Sequence, residues 1–391
     1  MRFLVIGAGR MGRAAAWDLA RQPGVEVVRL VDRSPEALIS AERELAKAMV
    51  AGIRAGVGAR LETEPCDLDQ SETLVSLLRG FHVALSAADY RFNRSLTEAA
   101  IATRTHLCDL GGHLPIVHQQ MALSAAAERQ GITVVPDCGL APGLACMLAA
   151  LGVERFDTTH SVRIRVGGLP AHPKPPLGYK IVFSVRGLVN EYLERCEVVR
   201  DGQTVEVPSL TELERLEFPP PFGTHEAFHT SGGASTLPRT LRSRVRHLDY
   251  KTIRKPGHCA FFAALRDLGF LSEEPLGAAT ARALTEQLLG RALADETDTD
   301  VVLLRVEIDG HRGAEPRRLV FELVDRHDTA TGHSAMARTT GYSAATVAYM
   351  LAAGAIRKRG VLPGELCLPL EEYLAAVRAR GLEVTERMES R

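Results

Sequence analysis

RFLVIGAGRMGRAAAWDLARQPGVEVVRLVD, residues 2–32, is the stretch of this 391-residue chain that decides the fold. It begins with an apolar run, Phe3–Ile6, and passes through the glycine-rich turn GAGRMG at residues 7–12 into an alanine-rich helical segment. A second apolar run then ends at Asp32. The order of strand, glycine turn, helix, strand and acidic residue predicts a βαβ unit that binds a dinucleotide.

The three glycines of this turn have separate physical roles. Gly7 permits the tight turn out of the strand, Gly9 lets a pyrophosphate approach the backbone, and Gly12 lets the helix pack closely against the sheet. The free N–H groups at the helix N-terminus would then hold the phosphates. Such a turn can also occur in a unit that binds nothing, but the flanking strands, the helix and the acidic residue all agree here.

The residues that end the second strand indicate which nucleotide binds. The Asp32 carboxylate would accept hydrogen bonds from ribose hydroxyls and repel a 2′-phosphate, which favours NAD. Arg33 would suit the 2′-phosphate, so NADP is the alternative. The residues expected to contact the nucleotide are Gly7, Gly9, Arg10, Met11, Gly12, Asp32, Arg33, Ala87, Ala88 and Leu110.

Helical and strand patterns alternate after Asp32 at the spacing of a doubly wound parallel sheet. Six strands are predicted in the first 136 residues, at 3–6, 25–31, 59–62, 83–86, 105–109 and 132–136. Alternating runs from residue 158 onward, such as Val301–Ile308, predict an open mixed sheet instead. The predicted fold class is therefore α/β, a Rossmann-type doubly wound parallel sheet plus an α+β substrate domain.

The length of the chain suits two or three domains. We expect residues 1–140 to form the dinucleotide-binding Rossmann domain, completed by the C-terminal helices of residues 340–391. Residues 141–339 would form a domain for substrate binding and oligomerisation. No internal repeat interrupts this division.

The charge balance and the cysteines argue against several classes of protein. With 47 basic and 48 acidic side chains the net charge is −1, so no global field recruits nucleic acid or an anionic membrane surface. No apolar run reaches membrane-spanning length and no signal-peptide pattern precedes the first strand, so we expect a cytoplasmic protein. The seven cysteines form no CxxC pair, and no metal ligand is assigned.

Polar residues follow three predicted strands of the parallel sheet, where ligands bind in such folds. Tyr90 comes shortly after the fourth strand, Asp109 and His113 follow the fifth, and Cys138 follows the sixth. Asp109 suits either a helix cap or an active site, and His113 either a core position or catalysis. Cys138 suits packing or a substrate wall better than a nucleophile, since hydride transfer needs none.

The second domain contains the segment HEAFHTSGGASTL, residues 225–237. Its first five residues match HExxH, but the prolines and glycines around them argue against the helix that a zinc protease needs. A strand or loop that presents these side chains to a small polar substrate is favoured, followed by a glycine turn that could bind a carboxylate. The residues expected to bind substrate are Tyr90, Cys138, Tyr179, Lys180, His225, Thr230, Thr236 and Arg239.

Several motifs spread over the chain resemble the saccharopine dehydrogenase-like family, and within it the lysine 6-dehydrogenases. They include GAGRMG, DLGGH, DCGLAPG, EAFHTSGGASTL and LDYKTIR, and they occur in one order along nearly the whole chain. The resemblance implies a Rossmann domain, a substrate domain on an open mixed sheet, and a homodimer or homotetramer. Ala141 stands where saccharopine-forming members tend to have an acidic residue, which weakens the saccharopine interpretation.

The reaction implied by this resemblance is NAD-dependent oxidation of the ε-amine of L-lysine to allysine and ammonia. The lysine ammonium group, with a pKa of about 10.4, must lose its proton before hydride can leave. The candidate bases are Asp109, His113, Glu226 and His229. A saccharopine- or carboxynorspermidine-type reductase that uses NADPH is the first alternative, and a dinucleotide sensor without catalysis is the second.

Overall fold

The computed structural model describes residues 1–54, 58–69, 71–182, 184–294 and 299–391. The chain divides into two compact units. The first contains residues 1–147 and 337–382, and the second contains residues 148–336 and 383–391.

The first unit is built on a parallel sheet. Its strands are β1 (Arg2–Ile6), β2 (Val27–Asp32), β3 (Arg60–Pro65), β4 (Val83–Ser86), β5 (His106–Asp109), β6 (Thr133–Val135) and β17 (Gly360–Val361). Its helices are α1 (Arg10–Ala20), α2 (Pro35–Arg54), α3 (Ser71–Leu78), α4 (Asn93–Thr103), α5 (Leu114–Met121), α6 (Ser124–Arg129), α13 (Gly364–Cys367) and α14 (Leu370–Ala379). Helices α7 (Leu144–Glu154) and α12 (Ala335–Ala352) each contribute residues to both units.

The strand order in this sheet is β17-β6-β5-β4-β1-β2-β3, and every pairing is parallel. The six strands predicted from sequence match the observed ones to within three residues, and the Rossmann-type prediction is confirmed. Strand order reverses between β1 and β4, so a crevice opens there at the carboxyl ends of the strands. Leu4 and Ile6 on β1 are almost completely buried beneath that edge.

The second unit is built on a mixed sheet. Its strands are β7 (Thr158–Pro170), β8 (Cys196–Arg200), β9 (Gln203–Val207), β10 (Glu214–Phe218), β11 (Gly223–His229), β12 (Val245–Arg254), β13 (Pro275–Leu276), β14 (Ala279–Thr280), β15 (Asp300–Arg312), β16 (Glu315–Arg326) and β18 (Thr385–Ser390). Its helices are α8 (Val185–Leu193), α9 (Leu237–Thr240), α10 (His258–Asp267) and α11 (Ala281–Ala292).

The main path through the second sheet runs β10-β11-β12-β7-β15-β16-β18, with β8 and β9 branching from β12. The β12–β7 pair is parallel and the other pairs are antiparallel, so the predicted mixed sheet is confirmed. Strands β13 and β14 form a separate two-stranded sheet.

The C-terminal nine residues differ from the sequence prediction, which placed all of 340–391 with the first domain. Strand β18 pairs antiparallel with β16, so residues 383–391 belong to the second unit. Five of the six residues of β18 are exposed and most are polar. The strand therefore carries no apolar pattern from which its position could be predicted.

None of the described helices combines the length and apolar character needed to span a membrane. All seven cysteines are buried free thiols.

Candidate functional site

The glycine turn after β1 keeps one position open and two tightly packed. Gly7 has a φ of +104°, and a Cβ placed on it would lie 2.8 Å from the Ala87 carbonyl oxygen. A Cβ on Gly12 would lie 1.8 Å from the Gly7 carbonyl oxygen. No atom of the described residues lies within 4 Å of a Cβ built on Gly9. The fold therefore requires Gly7 and Gly12, whereas the open side of Gly9 leaves space for a ligand.

The N-terminus of α1 is suited to an anion. Gly9 is its N-cap, and among the described residues no side chain caps the helix. The first backbone N–H groups of a helix have no acceptor within it, and the helix dipole adds partial positive charge there. Arg10 is exposed and Met11 is partly exposed beside these groups. A pyrophosphate would satisfy the free N–H groups.

The Asp32 carboxylate is held in place by the backbone. Its Oδ2 atom accepts a hydrogen bond from the Ala8 N–H at 2.7 Å, and its Oδ1 atom accepts one from the Ser34 N–H at 2.9 Å. Each carboxylate oxygen retains another acceptor position for a ribose hydroxyl. Arg33 next to it is exposed and makes no ion pair with any described residue.

Asp32 and Arg33 line a cavity of about 290 Å³ together with Gly7, Gly9, Ala87 and Ala88. Three further acidic residues that the sequence analysis did not select also line it, Asp67, Asp69 and Asp89, with Arg91 as the second cation. Four carboxylates thus face two guanidinium groups in this cavity. Their position just after β3 and β4 is the sequence signal that could have identified them. Leu110, also predicted to contact the nucleotide, follows β5 and does not line this cavity.

Asp109 ends β5 and is completely buried. Its Oδ1 atom accepts hydrogen bonds from the N–H groups of Gly111 at 2.8 Å and Asp137 at 3.2 Å, and its Oδ2 atom accepts one from Gln120 Nε2 at 2.8 Å. Burial raises the pKa of this carboxyl to about 6, although these hydrogen bonds partly oppose the shift. These contacts make Asp109 an internal anchor of two strand ends, which differs from the predicted catalytic role.

His113 lies in a different environment, four residues further on. Its ring stacks on Tyr90, with 4.8 Å between ring centroids and an interplanar angle of 9°. Both rings are partly exposed, and the buried His113 Nδ1 atom has no hydrogen-bond partner among the described residues. The structure thus brings together Tyr90, predicted to bind substrate, and His113, predicted to be catalytic, which follow the neighbouring strands β4 and β5.

Cys138 does not lie at a surface that a substrate could reach. Its side chain is completely buried, and its thiol donates to the Val135 carbonyl oxygen at 3.2 Å. Burial raises the pKa of the thiol well above its usual value. The packing role is therefore favoured, and the predicted substrate contact is not.

The preceding residue, Asp137, is one that the sequence analysis left unassigned. It has a φ of +61°, which is unusual for a residue other than glycine. Its Oδ1 atom accepts from the Gly112 N–H at 3.3 Å, and it would lie 1.5 Å from a Cβ built on Gly111. Asp137 thereby fixes the loop that leads to His113. Only the backbone geometry identifies it, because an aspartate after a strand is common in turns.

In the second unit, Glu226 has a structural role that explains its burial. Its two carboxylate oxygens accept hydrogen bonds from the N–H groups of Gly257 at 3.0 Å and Cys259 at 2.6 Å. These groups belong to the N-terminus of α10, where a negative charge is favourable. Glu226 therefore caps a helix, and these contacts favour a structural role over the predicted role as a base.

The two histidines of the HExxH segment lie on β11, so the segment is a strand, as its sequence context predicts. Both side chains are completely buried. The His225 Nδ1 atom lies 3.1 Å from the Gly223 carbonyl oxygen, and burial lowers the pKa of His225. The His229 Nδ1 atom lies 3.1 Å from the Tyr250 carbonyl oxygen. Their burial favours internal contacts over the predicted contact with substrate.

The remaining predicted substrate residues of this unit are mostly buried as well. Thr230 Oγ1 is 2.6 Å from Thr252 Oγ1, and Thr236 precedes the short helix α9. The exposed Arg239 is paired with Glu197, with its Nε 2.8 Å from the carboxylate. Lys180 is 8% exposed. Because Arg239 is already paired with Glu197, it is not available to bind a substrate carboxylate.

Tyr179 belongs to a buried polar cluster that sequence reasoning missed. Its ring lies 4.8 Å from the Arg254 guanidinium carbon, and its hydroxyl has no partner among the described residues. Arg254 Nε donates to Tyr192 Oη at 3.1 Å, and this hydroxyl lies 2.9 Å from His258 Nε2. Burial raises the pKa of the neighbouring Glu191 to about 7. Arg254 is the last residue of the motif LDYKTIR, from which the sequence analysis predicted no site residue.

The fold and the first-unit site together define a dinucleotide-binding protein of the Rossmann type. Comparison with known proteins makes this assignment more specific. Residues 3–135 match the family described as "Saccharopine dehydrogenase NADP binding domain", and residues 139–382 match "Saccharopine dehydrogenase C-terminal domain". The chain belongs to the saccharopine dehydrogenase family.

Two curated relatives match parts of the chain, and one of them carries the same family name. The chain is 26% identical over 242 residues to "Saccharopine dehydrogenase [NADP(+), L-glutamate-forming]" from Pyricularia oryzae, covering 59% of this chain and 51% of the relative. It is 29% identical over 147 residues to mitochondrial alpha-aminoadipic semialdehyde synthase from Mus musculus, covering 35% and 15%. The matches thus span about half the length of the first relative and much less of the second.

Two solved structures share the fold. Apo saccharopine dehydrogenase (L-Glu forming) from Saccharomyces cerevisiae has a TM-score of 0.79 at 19% identity, with full coverage of both chains. Homospermidine synthase from Legionella pneumophila, solved in complex with NAD, has a TM-score of 0.69 at 11% identity, covering 99% of this chain and 91% of that one. At these identities the similarity establishes the fold alone.

Proposed function

We propose that the protein is an NAD-dependent oxidoreductase that deaminates the ε-amine of L-lysine. L-Lysine would be converted to allysine and ammonia, and allysine would then cyclise to 1-piperideine-6-carboxylate. The observation that supports nucleotide binding is the open space beside Gly9 at the N-terminus of α1, which no side chain of the described residues caps. The amine part rests on membership of the saccharopine dehydrogenase family and on the resemblance of the sequence motifs to those of lysine 6-dehydrogenases.

The choice of NAD rests on the charges around the ribose end of the cavity. The Asp32 carboxylate is fixed by two backbone N–H groups and faces the same cavity as Asp67, Asp69 and Asp89. Four carboxylates against two guanidinium groups disfavour the additional 2′-phosphate of NADP. Arg33 is the residue that would favour NADP, and its exposure reduces the energy of that contact through solvent screening.

The chemistry needs a base before hydride transfer. When bound, the nicotinamide would accept the hydride from the Cε atom of lysine, leaving an imine that water hydrolyses to the aldehyde and ammonia. We assign the base to His113 because its Nδ1 atom is free of hydrogen bonds among the described residues and its ring is held by Tyr90. Asp109 is fully engaged with backbone and Gln120 donors. Imidazole is a weaker base than the lysine amine, so substrate pairing must assist proton loss.

The second candidate function is a reductase that forms a secondary amine from an aldehyde and an amino acid with NADPH. The names of the curated relatives favour it, since they include an NADP-dependent saccharopine dehydrogenase. Ala141, where an acidic residue is typical of saccharopine-forming members, disfavours it. The homodimer or homotetramer implied by the resemblance stays a prediction for either function, as does a cytoplasmic location.

One experiment separates the two functions. Initial rates of NADH or NADPH formation would be measured with L-lysine, ornithine, diamines and saccharopine, each with NAD and with NADP. We expect L-lysine with NAD to give the highest kcat/KM. Turnover of saccharopine with NADP, without turnover of lysine, would establish the reductase instead. Nucleotide binding without turnover of any substrate in either direction would indicate a sensor.

A further inference from the structure

The HExxH segment cannot bind one metal ion through both of its histidines. It forms strand β11, where residues four apart are separated by about 13 Å along the strand. His229 instead meets acidic side chains from two other segments. The Nε2 atom of His229 lies 3.2 Å from Glu212 Oε2, and one ligand atom each from Glu212, His229 and Asp249 lies within 4.8 Å of the other two.

The two ring nitrogens of His229 have different partners. Nδ1 lies 3.1 Å from the Tyr250 carbonyl oxygen, which can only accept, so Nδ1 carries a hydrogen. Nε2 is buried, and Glu212 Oε2 at 3.2 Å can only accept, so a neutral Nε2 without a hydrogen makes no hydrogen bond with any described residue. In the neutral imidazole this leaves a buried lone pair beside two carboxylates. A positive charge between the three groups, either a metal ion or a second ring proton, would resolve this arrangement.

We propose that Glu212, His229 and Asp249 form a site for a divalent transition-metal ion of the zinc class. Zinc binds nitrogen and oxygen ligands at about 2.0–2.2 Å in a tetrahedron, which places ligand atoms about 3.3–3.5 Å apart. The 3.2 Å between Nε2 and Glu212 Oε2 fits that spacing. Glu212 is exposed, so water can supply the fourth ligand. The imidazole ligand selects zinc over magnesium or calcium, which prefer all-oxygen sites.

Two further observations support the site. A histidine that binds a metal usually donates its other ring N–H to a carbonyl or carboxylate, as His229 does to Tyr250. Glu212 has a φ of +49°, a left-handed backbone conformation that is costly for this residue type and is frequent at functional positions. The segment that carries Glu212 is thus held in an unfavourable conformation that presents its carboxylate to His229.

Neighbouring arginine side chains compete with a metal ion for the two carboxylates of the proposed site. Arg165 Nη1 lies 2.8 Å from Asp249 Oδ1, and Arg200 Nη2 lies 2.6 Å from Glu212 Oε2. Lys251 Nζ donates to the Glu212 carbonyl oxygen at 2.7 Å and lies 3.4 Å from the carboxylate of Glu214, which is outside the site. Both ligand carboxylates therefore share their oxygens between a guanidinium group and the metal. The competing occupant is a proton on Nε2, which would make the same contacts with Glu212.

Metal binding by the untagged full-length protein tests the proposal. After dialysis against a chelator, the protein would be titrated with zinc chloride by calorimetry and with cobalt chloride by visible absorption. We expect about one zinc ion per chain, with affinity about tenfold weaker or more in Glu212→Gln and His229→Ala. His225→Ala, a buried histidine on the same strand, is the matched control and should bind like wild type. At the same zinc concentration, zinc should raise the melting temperature of wild type more than that of Glu212→Gln.

Two results would overturn the proposal. The first is the absence of stoichiometric zinc binding by wild type, which would mean that Nε2 carries a proton. The second is zinc binding by Glu212→Gln, whose exposed position should not affect folding, as tight as that of wild type. Neither result depends on the enzyme's substrate, so both are independent of the proposed function.

Discussion

Asp109 and His113 lie four residues apart at the end of β5, in contrasting environments. Asp109 is completely buried and accepts three hydrogen bonds, two of them from backbone N–H groups. His113 is partly exposed, stacks on Tyr90 and keeps a nitrogen without a hydrogen bond among the described residues. At the residue scale, this contrast supports the proposal that the histidine transfers the proton, while the carboxylate anchors the loop.

The raised pKa of Asp109 predicts a pH-dependent stability. The folded state holds this proton more tightly than the unfolded state does, because the pKa rises from 3.8 to about 6. Its contribution is fully present below pH 4 and is lost as the pH rises through 6, a change of about 3 kcal/mol. Asn cannot ionise, so Asp109→Asn should gain free energy of unfolding relative to wild type between pH 4.5 and 7. Urea unfolding at several pH values measures this difference, and a constant difference would contradict it.

Replacing His113 should impair chemistry more than nucleotide binding. We expect His113→Gln to lower kcat by about 100-fold, because a general base contributes roughly this much. The dissociation constant for NAD should change little, since His113 does not line the cavity beside the glycine turn. Tyr90→Phe preserves the stacked ring and is the control for packing. A kcat for His113→Gln within threefold of the wild-type value would remove His113 from the mechanism.

At the element scale, two helix N-termini differ in whether an acidic side chain already occupies them. The N-terminus of α1 has no side-chain cap among the described residues and borders the open side of Gly9. The N-terminus of α10 is capped internally by Glu226, through the N–H groups of Gly257 and Cys259. The first is therefore available to a ligand, and the second is already satisfied.

The open side of Gly9 predicts a variant that folds but binds nucleotide poorly. A Cβ on Gly9 meets no described atom within 4 Å, so Gly9→Ala should melt at nearly the wild-type temperature. The methyl group would occupy the path of the pyrophosphate and weaken NAD binding by about tenfold or more, or 1.4 kcal/mol. Calorimetric titration with NAD measures the loss. Unchanged affinity would mean that the phosphates bind elsewhere.

Glu226 offers the complementary test. Glu226→Ala leaves two N–H groups of α10 without acceptors and should lower the free energy of unfolding by about 1–2 kcal/mol. Glu226→Gln retains an acceptor oxygen and should lose less. Chemical denaturation of the three proteins gives the comparison. If both variants unfold like wild type but lose turnover, the residue would have a role in catalysis rather than in capping.

At the scale of the whole molecule, the first unit was more predictable than the second. Glycine spacing and apolar strands such as Phe3–Ile6 depend on local physics, and the six predicted strands were observed. Strand β17 is two residues long and β18 is largely exposed, so neither carries a pattern. Buried polar residues such as Glu226 were assigned to catalysis because residue type alone does not reveal a partner 31 positions away in the sequence. Tertiary contacts decide that distinction.

The central claim, NAD-dependent deamination of lysine, is tested most directly by stoichiometry. The purified protein would be incubated with L-lysine and NAD, and NADH and ammonia would be quantified in the same sample. We predict that ammonia and NADH form in equal amounts and that 1-piperideine-6-carboxylate accumulates with them. NADH formation without ammonia, or reduction of NADP only when saccharopine is supplied, would contradict the claim.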